Sequence, residues 1–489
     1  MAIRRMSRHD FLALGIRGAM AAALIPLGVS CGGSTPTTPT AATSSSSASS
    51  SAPTASAPTA TTAASSAPQS ATATAAPAAQ SSSQSSGPIT LTLFGGNGLA
   101  DQEINYWKAS IIAPYEQANP NVKINFVNAD TQKLQVDLAG NLPPDVIDIE
   151  TKNLPSFASR GAILEITDRA KTSKVNETDY SGPDMQKVIF NGKWYAIPWD
   201  TSPAVIYYNK KLFDQAGVKY PPTTWGADGW DWPTFLATAH KLTTGSGPSQ
   251  IFGWGPTNWW VYWDPWAWGS GGDFTDTNGT KITITDSTFR DGWQFYADLI
   301  LKEKVAPTPA QSSIGVSQMF YTGKIAMMSS GSYFVVGLDK SMGTDWDIAA
   351  YPKGKQLATR SPADCHCLAK NGKNLDAAWN MVLWLTGPEG QKQYSLGGYT
   401  PVLKSVLQSD GFLKQNPHVH YDVFTQPLID GFAHHTPVPI IYPQVNDLFT
   451  TPMNNVLRGS ATIEQVLNDA QPKIQKLLDD VPDAWRGVS

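Results

Sequence analysis

The sequence predicts an α/β protein built as two lobes, carried behind an export signal and a long tether. Three observations lead there. Strand-like and helix-like segments alternate through the body, the pattern of parallel or mixed sheets covered on both faces. That body, residues 88–489, holds 402 residues, more than the roughly 250 to 300 at which one hydrophobic core stops growing. Composition also changes abruptly near residue 87, before which Arg4, Arg5, Arg8, Arg17 and Asp10 are the only charged side chains.

Of the 36 basic and 40 acidic side chains, four and one lie in that leading segment, leaving the body 32 against 39, a net charge of −7. A net-acidic body argues against a nucleic-acid partner, which demands clustered Lys and Arg, and against a polybasic membrane anchor. Three cysteines in 489 residues cannot form a disulfide framework, and no Cys-x-x-Cys pair spaces a metal site. Neither a cofactor nor a metal is expected.

Residues 1–31 read as an export signal: basic residues up to Arg8, an apolar run from Gly18 to Val29, then small residues before Cys31. The run is shorter than the about 20 residues a spanning helix needs. Ser7-Arg8-His9-Asp10-Phe11-Leu12 resembles a twin-arginine motif with His9 in place of the second arginine, so the export route stays open. Leu27-Gly28-Val29-Ser30-Cys31 resembles a bacterial lipobox, with Gly28 where Leu is usual, which implies that Cys31 is lipidated and anchors the protein to the outer face of the cell membrane. Residues 32–87 are almost wholly Ser, Thr, Ala and Pro. Such a segment buries too little surface to offset its ordering entropy, and is expected to be a disordered tether.

The body opens with the alternating strand Ile89 to Phe94, a glycine loop Gly95-Gly96-Asn97-Gly98, and a helix-like stretch from Asp101 to Asn119. Further strands are expected at Val122–Val127, Pro144–Ile149, Trp194–Pro198, Ala204–Tyr208, Ile325–Met328, Asp347–Ala350 and Cys365–Ala369. Helices are expected at Asp286–Lys302, Leu375–Thr386, within Thr436–Arg458, and at Thr462–Leu478, where Ile463, Val466, Leu467, Ile474 and Leu477 recur at helical spacing. No tandem repeat is visible.

Five stretches carry a resemblance: Pro144-Asp145-Val146; Gly192 to Pro198 followed by Ile206 to Gly217; Pro221-Pro222-Thr223-Thr224-Trp225; Phe320 to Tyr333; and Gly397 to Ser405. In this order they resemble family 1 extracellular solute-binding proteins, the maltose-binding-like receptors that feed sugars to ABC importers. The resemblance implies a type II periplasmic-binding-protein fold with a multi-strand hinge, a carbohydrate held between the lobes, a permease partner and a monomeric receptor. It places the crossings near Trp199–Ala204, Ala358–Asp364 and Gly397–Ser405. The expected lobes are therefore 88–201 with 362–398, and 202–361 with 399–489.

The densest local signal runs from Trp254 to Trp268, where six of the chain's 17 tryptophans fall. A sugar ring offers a flat face of C–H bonds for an indole and rim hydroxyls for neighbouring polar groups. Trp259, Trp260 and Trp263, with Tyr262 behind them, are the stacking candidates, set against the alternative that they are core residues. The loop after Pro-Asp-Val offers Glu150, Lys152 and Asn153 for hydroxyls, while Asp145 reads as structural. Tyr333 stands where the family often has an aromatic facing the solute, and Asn97 and Tyr442 complete the candidate set. Cys365-His366-Cys367 cannot converge on one ion along a strand and reads as buried thiols, and His434-His435 as surface.

Two other functions compete. The same fold could hold a polyamine, a chelate or a phosphodiester, which would call for convergent carboxylates or for Arg and Lys at a helix N-terminus. A secreted glycoside hydrolase would need an acid and a base at a defined separation, and no pair of carboxylates calls for that reading. The expectation is a receptor and not an enzyme.

Overall fold

The computed structural model describes residues 87–96, 99, 101–257 and 259–482. Cys31, the export segment, the tether and Asn97 lie outside the described residues. Gly87–Ser489 belong to one compact unit.

Two sheets organise this unit. In the first, strands run in the order Thr400–Pro401, Ile197–Thr201, Ala363–Leu368, Val146–Glu150, Ile89–Gly95, Val122–Asn128. Ile89–Gly95 pairs in parallel with both its neighbours, and the remaining pairs are antiparallel. Every residue of Val146–Glu150 and Ile197–Thr201 is buried, as a sheet covered on both faces requires. The second sheet runs Trp346–Ala349, Val205–Asn209, Ile325–Ser330, Phe252–Gly255.

Local chemistry explains the junctions. In Tyr208-Asn209-Lys210-Lys211-Leu212 the strand stops where the Asn209 carboxamide oxygen accepts the Leu212 N–H at 3.2 Å, starting the helix Lys210–Ala216. Gly217 ends it in the left-handed conformation, φ 62°, which glycine adopts without steric penalty. The helix-like stretch after the glycine loop is not uniform. It divides into Asp101–Tyr106, a wider π turn over Trp107–Ile112, and Ala113–Ala118. Pro114 has no N–H to give the carbonyl of Ser110, and the wide turn just ahead of it absorbs the mismatch. The strand expected at Trp194–Pro198 likewise splits. Lys193–Trp194 pairs with Ile189–Phe190 across an Asn191-Gly192 turn, both at positive φ, and the sheet strand starts at Ile197.

Each sheet carries its own core. Leu91 to Trp199 and Cys365 to Val406 supply the first, and Ala204 to Tyr351 and Leu407 to Val481 the second. The chain thus changes core three times. The first change spans Ser202-Pro203, and the second lies between Tyr351 and Ala363. The third falls between Val406 and Leu407, beyond the 398/399 break expected from the sequence. The reason is that Thr400–Pro401 joins the first sheet and the N–H groups of Val402 and Leu403 donate to the Gln391 carboxamide oxygen at 2.9 and 3.2 Å.

The first two crossings are laced together. Ser202 N–H donates to Pro362 O and Ala204 N–H to Arg360 O, each at 2.8 Å. Beneath them the Lys187 ammonium donates to Asp184 and to Ser361 O at 2.6 Å, and the Thr201 hydroxyl reaches Ser361 Oγ at 2.5 Å. Gly331 lies against this lacing, and a Cβ there would collide with Ser202 Oγ. Among the described residues no helix is long and apolar enough to cross a membrane.

Candidate functional site

The first core presents a short charged arm. The carboxylate of Asp145, at the head of the strand Val146–Glu150, accepts the Thr92 N–H at 2.9 Å and the Asn374 N–H at 3.3 Å, the structural role expected of it. Asp148 accepts the Trp199 indole N–H at 2.7 Å inside the sheet. Glu150 ends the strand, 5% exposed, and the Lys152 ammonium closes on it at 2.7 Å. Thr151–Asn153 forms a single tight turn into the helix Leu154–Ser159, whose Pro155 sits where a missing N–H costs nothing. Asn153 is half-buried at the N-cap of that helix.

The second core presents aromatic faces. The Lys152 ammonium lies 4.9 Å from the ring centre of Tyr442 and 5.1 Å from that of Trp259, so the arm of one lobe rests on the wall of the other. The Trp259 indole N–H donates to Asn446 at 3.4 Å, and the Tyr262 and Tyr333 hydroxyls meet at 2.6 Å. Arg360, 4% exposed, sets its guanidinium carbon 5.1 Å from the ring centres of both Trp259 and Tyr262. The structure therefore brings together Glu150, Lys152, Trp259, Tyr262, Tyr333 and Tyr442.

Trp260 and Trp263 lie buried behind them, which corrects the expectation that they stack on solute, although the Trp260 indole N–H shares the Asn446 acceptor at 3.2 Å. They are 1% and 0% exposed. Trp260 packs among Phe274, Trp293, Tyr442 and Phe449, and Trp263 among Trp293 and Tyr296, with its N–H given to Thr257 O at 3.4 Å. The cause is the tight turn over Trp260–Tyr262. It sends Trp260 and Trp263 inward while leaving Trp259 and the tip of Tyr262 toward the arm.

Burial sets the charge states here. Asp264, fully enclosed, is pushed well above the usual carboxylate range by desolvation, against the pull of Arg360. Burial, with Glu150 nearby, likewise raises the Tyr442 phenol. Behind the arm, burial pulls His366 down to about 3, so it is neutral and its 3.8 Å approach to Asp148 is no ion pair. Its ring stacks on Trp199 at 5.6 Å. Cys365 and Cys367 are buried free thiols in the first core, pushed up by desolvation, as their place on the strand suggested. His434 and His435 are not plain surface residues. They line a cavity of about 280 Å³ with Trp268, Asp273 and Asp276, and His434 stacks on Trp268 at 4.4 Å. Arg360 and Asn446 were not among the residues the sequence singled out. Arg360 had a usable signal, as the one basic residue of the expected 358–364 crossing.

The profile of the family described as bacterial extracellular solute-binding protein matches residues 110–420. A putative binding protein of Brucella abortus (strain 2308) is 25% identical over 377 residues, 74% of this chain and 88% of that protein. The sn-glycerol-3-phosphate-binding periplasmic protein UgpB of Rhizobium meliloti (strain 1021) is 25% identical over 313 residues, 60% of this chain and 68% of that one. An ABC substrate-binding protein of Listeria monocytogenes, solved in complex with cycloalternan, superposes with a TM-score of 0.71 at 22% identity, over 80% of this chain and 99% of the other. The two-lobed binding-protein fold expected from the sequence is the fold observed.

Proposed function

Because the chain belongs to the bacterial extracellular solute-binding protein family, we propose that it captures a sugar, of disaccharide or oligosaccharide length, between its lobes and delivers it to the permease of an ABC importer. The observation that carries this reading is the meeting of unlike walls. Trp259, Tyr262, Tyr333 and Tyr442 supply ring faces and hydroxyls from one lobe, and Glu150, Lys152 and Asn153 supply polar groups from the other. Rings suit the C–H face of a pyranose and the polar arm suits its hydroxyls. Asn97, from the glycine loop of the first lobe, belongs to the proposed set.

A polyamine fits this site poorly, since Lys152 and Arg360 already lie over the ring faces that a cation would take. Hydrolysis fits poorly too. Glu150 is engaged by Lys152 and Asp264 is enclosed behind Arg360, so neither is an exposed acid or base for a glycosidic bond. As a receptor the protein works outside the cytoplasm as a monomer, lipid-anchored through Cys31, and Cys31→Ser should release it from membranes. The function itself is tested by thermal unfolding against mono-, di- and oligosaccharides. A cognate sugar at 100 times its dissociation constant stabilises by about 2.7 kcal/mol, and a panel without any shift would end the sugar reading.

A further inference from the structure

The most unusual group at the site is Arg360. Its backbone is fixed at the crossing: the strand Thr359–Arg360 pairs with Ala433–His434, and its carbonyl accepts the Ala204 N–H at 2.8 Å. The side chain lies against the neighbouring rings of Trp259 and Tyr262, whose centres are 6.1 Å apart. Ring faces attract a guanidinium but accept none of its N–H groups in the ordinary sense, and the five donors lie in the plane of the fork. Among the described residues no carboxylate forms an ion pair with Arg360 and no acceptor takes a hydrogen bond from its guanidinium.

The groups around it do not balance the charge. Lys152 and Glu150 neutralise each other at 2.7 Å. Asp264 lies within electrostatic reach of Arg360 without an ion-pair contact to it, and burial raises it well above the usual carboxylate range. Arg360 is therefore nearly buried with no carboxylate in ion-pair contact with it among the described residues, an arrangement costly to hold without an anion. A neutral sugar would leave it uncompensated.

We infer that the solute carries an oxyanion, a carboxylate or a phosphate ester on the sugar, and that Arg360 binds it through its N–H fork while the adjoining rings of Trp259 and Tyr262 hold the guanidinium in place. The fork matches both oxyanions geometrically, since each offers two oxygens to parallel N–H donors. Such a solute presupposes the sugar receptor proposed above and narrows its substrate class.

The test is calorimetric titration of the purified chain with chemically matched probes: oligogalacturonides against their methyl esters, glucose 6-phosphate against glucose, and maltotriose as a neutral oligosaccharide. Tighter binding of an acidic probe than of its neutral partner is expected, and its identity separates carboxylate from phosphate. Arg360→Gln should weaken the acidic probe about a hundredfold, as loss of one partner of a buried charge pair does, and weaken the neutral partner at least tenfold less than that. Arg360→Lys, which keeps the charge but not the fork, should fall between. The unliganded Arg360→Gln variant should unfold no lower than the parent, because an uncompensated buried charge has been removed. A large drop in its unfolding temperature would make Arg360 a structural cation and overturn the inference. If neutral sugars bind and the acidic ones do not, the sugar receptor stands and the oxyanion falls. If no sugar of either kind binds, both fall.

Discussion

The two sides of the proposed binding site are built on opposite plans. The first-lobe wall is a few residues at the end of one strand, with charge at its tip, Glu150 and Lys152, and a backing of Trp199, His366 and Tyr394 inside the sheet. The second-lobe wall is the surface of a dense aromatic mass, where Trp260, Trp263, Trp293 and Phe449 pack together while Trp259, Tyr262 and Tyr442 offer their rings to Lys152 or Arg360. The contrast teaches that aromatic residues in one short stretch can hold two unrelated jobs. Position along the chain does not separate them; the direction of a single turn does.

The contrast can be broken most visibly at the inward tryptophans. Trp260→Ala should lower stability by about 3–5 kcal/mol, the cost of emptying a packed aromatic site, measured by denaturant unfolding without ligand. Unchanged unfolding would mean that the inward indoles are not core. Trp259→Ala should do the reverse, with stability nearly constant and affinity for the cognate solute reduced by about 2 kcal/mol, roughly thirtyfold. Wild-type affinity in a folded Trp259→Ala would move the stacking surface elsewhere.

The backing of the first wall can be sharpened with pH. His366 is neutral in the fold down to about 3, whereas an unfolded histidine takes a proton near 6.5. Between those values the unfolded chain binds the extra proton, so stability is full above 6.5 and declines as pH falls toward 3. One unit of acidification inside that window should cost roughly 1 kcal/mol through this group, and His366→Gln should flatten the slope. Equal slopes for the two proteins would mean that the imidazole is protonated in the fold. The smallest effect is expected at the arm itself. Lys152→Arg keeps a cation for Glu150 while exchanging the ammonium over the two rings, and should change solute binding by no more than about 0.5–1 kcal/mol with the fold intact, which a titration of the two proteins would resolve.

Much of this architecture was readable in the sequence because local chemistry determines it. Leu375–Thr386 begins and ends as its pattern indicates, and the Tyr-Asn-Lys-Lys-Leu-Phe stretch announces a strand, a cap and a helix through residue types alone. The arm was legible for the same reason, since a carboxylate at the end of a buried strand has few places to go. What remained hidden depends on long-range geometry. Whether Trp259 or Trp260 faces the cleft turns on one tight turn between them, and no apolar period reports that. Arg360 meets Trp259 and Tyr262 from far along the chain, and only the folded crossing brings them together. The shift of the third crossing past Val406 follows from Gln391 binding two backbone N–H groups, a contact that no residue pattern announces.

The buried thiols give the molecule a pair of clocks. Cys365 and Cys367 lie wholly within the first core, and burial keeps them as unreactive thiols, so an oxidising environment outside the cytoplasm does not reach these two while that core stays shut. Most of the tryptophans, by contrast, sit in the second core. Pulsed alkylation would then time the opening of the first core while indole fluorescence, weighted toward the second, follows the molecule as a whole, and the two together would show whether the halves come apart together or in turn.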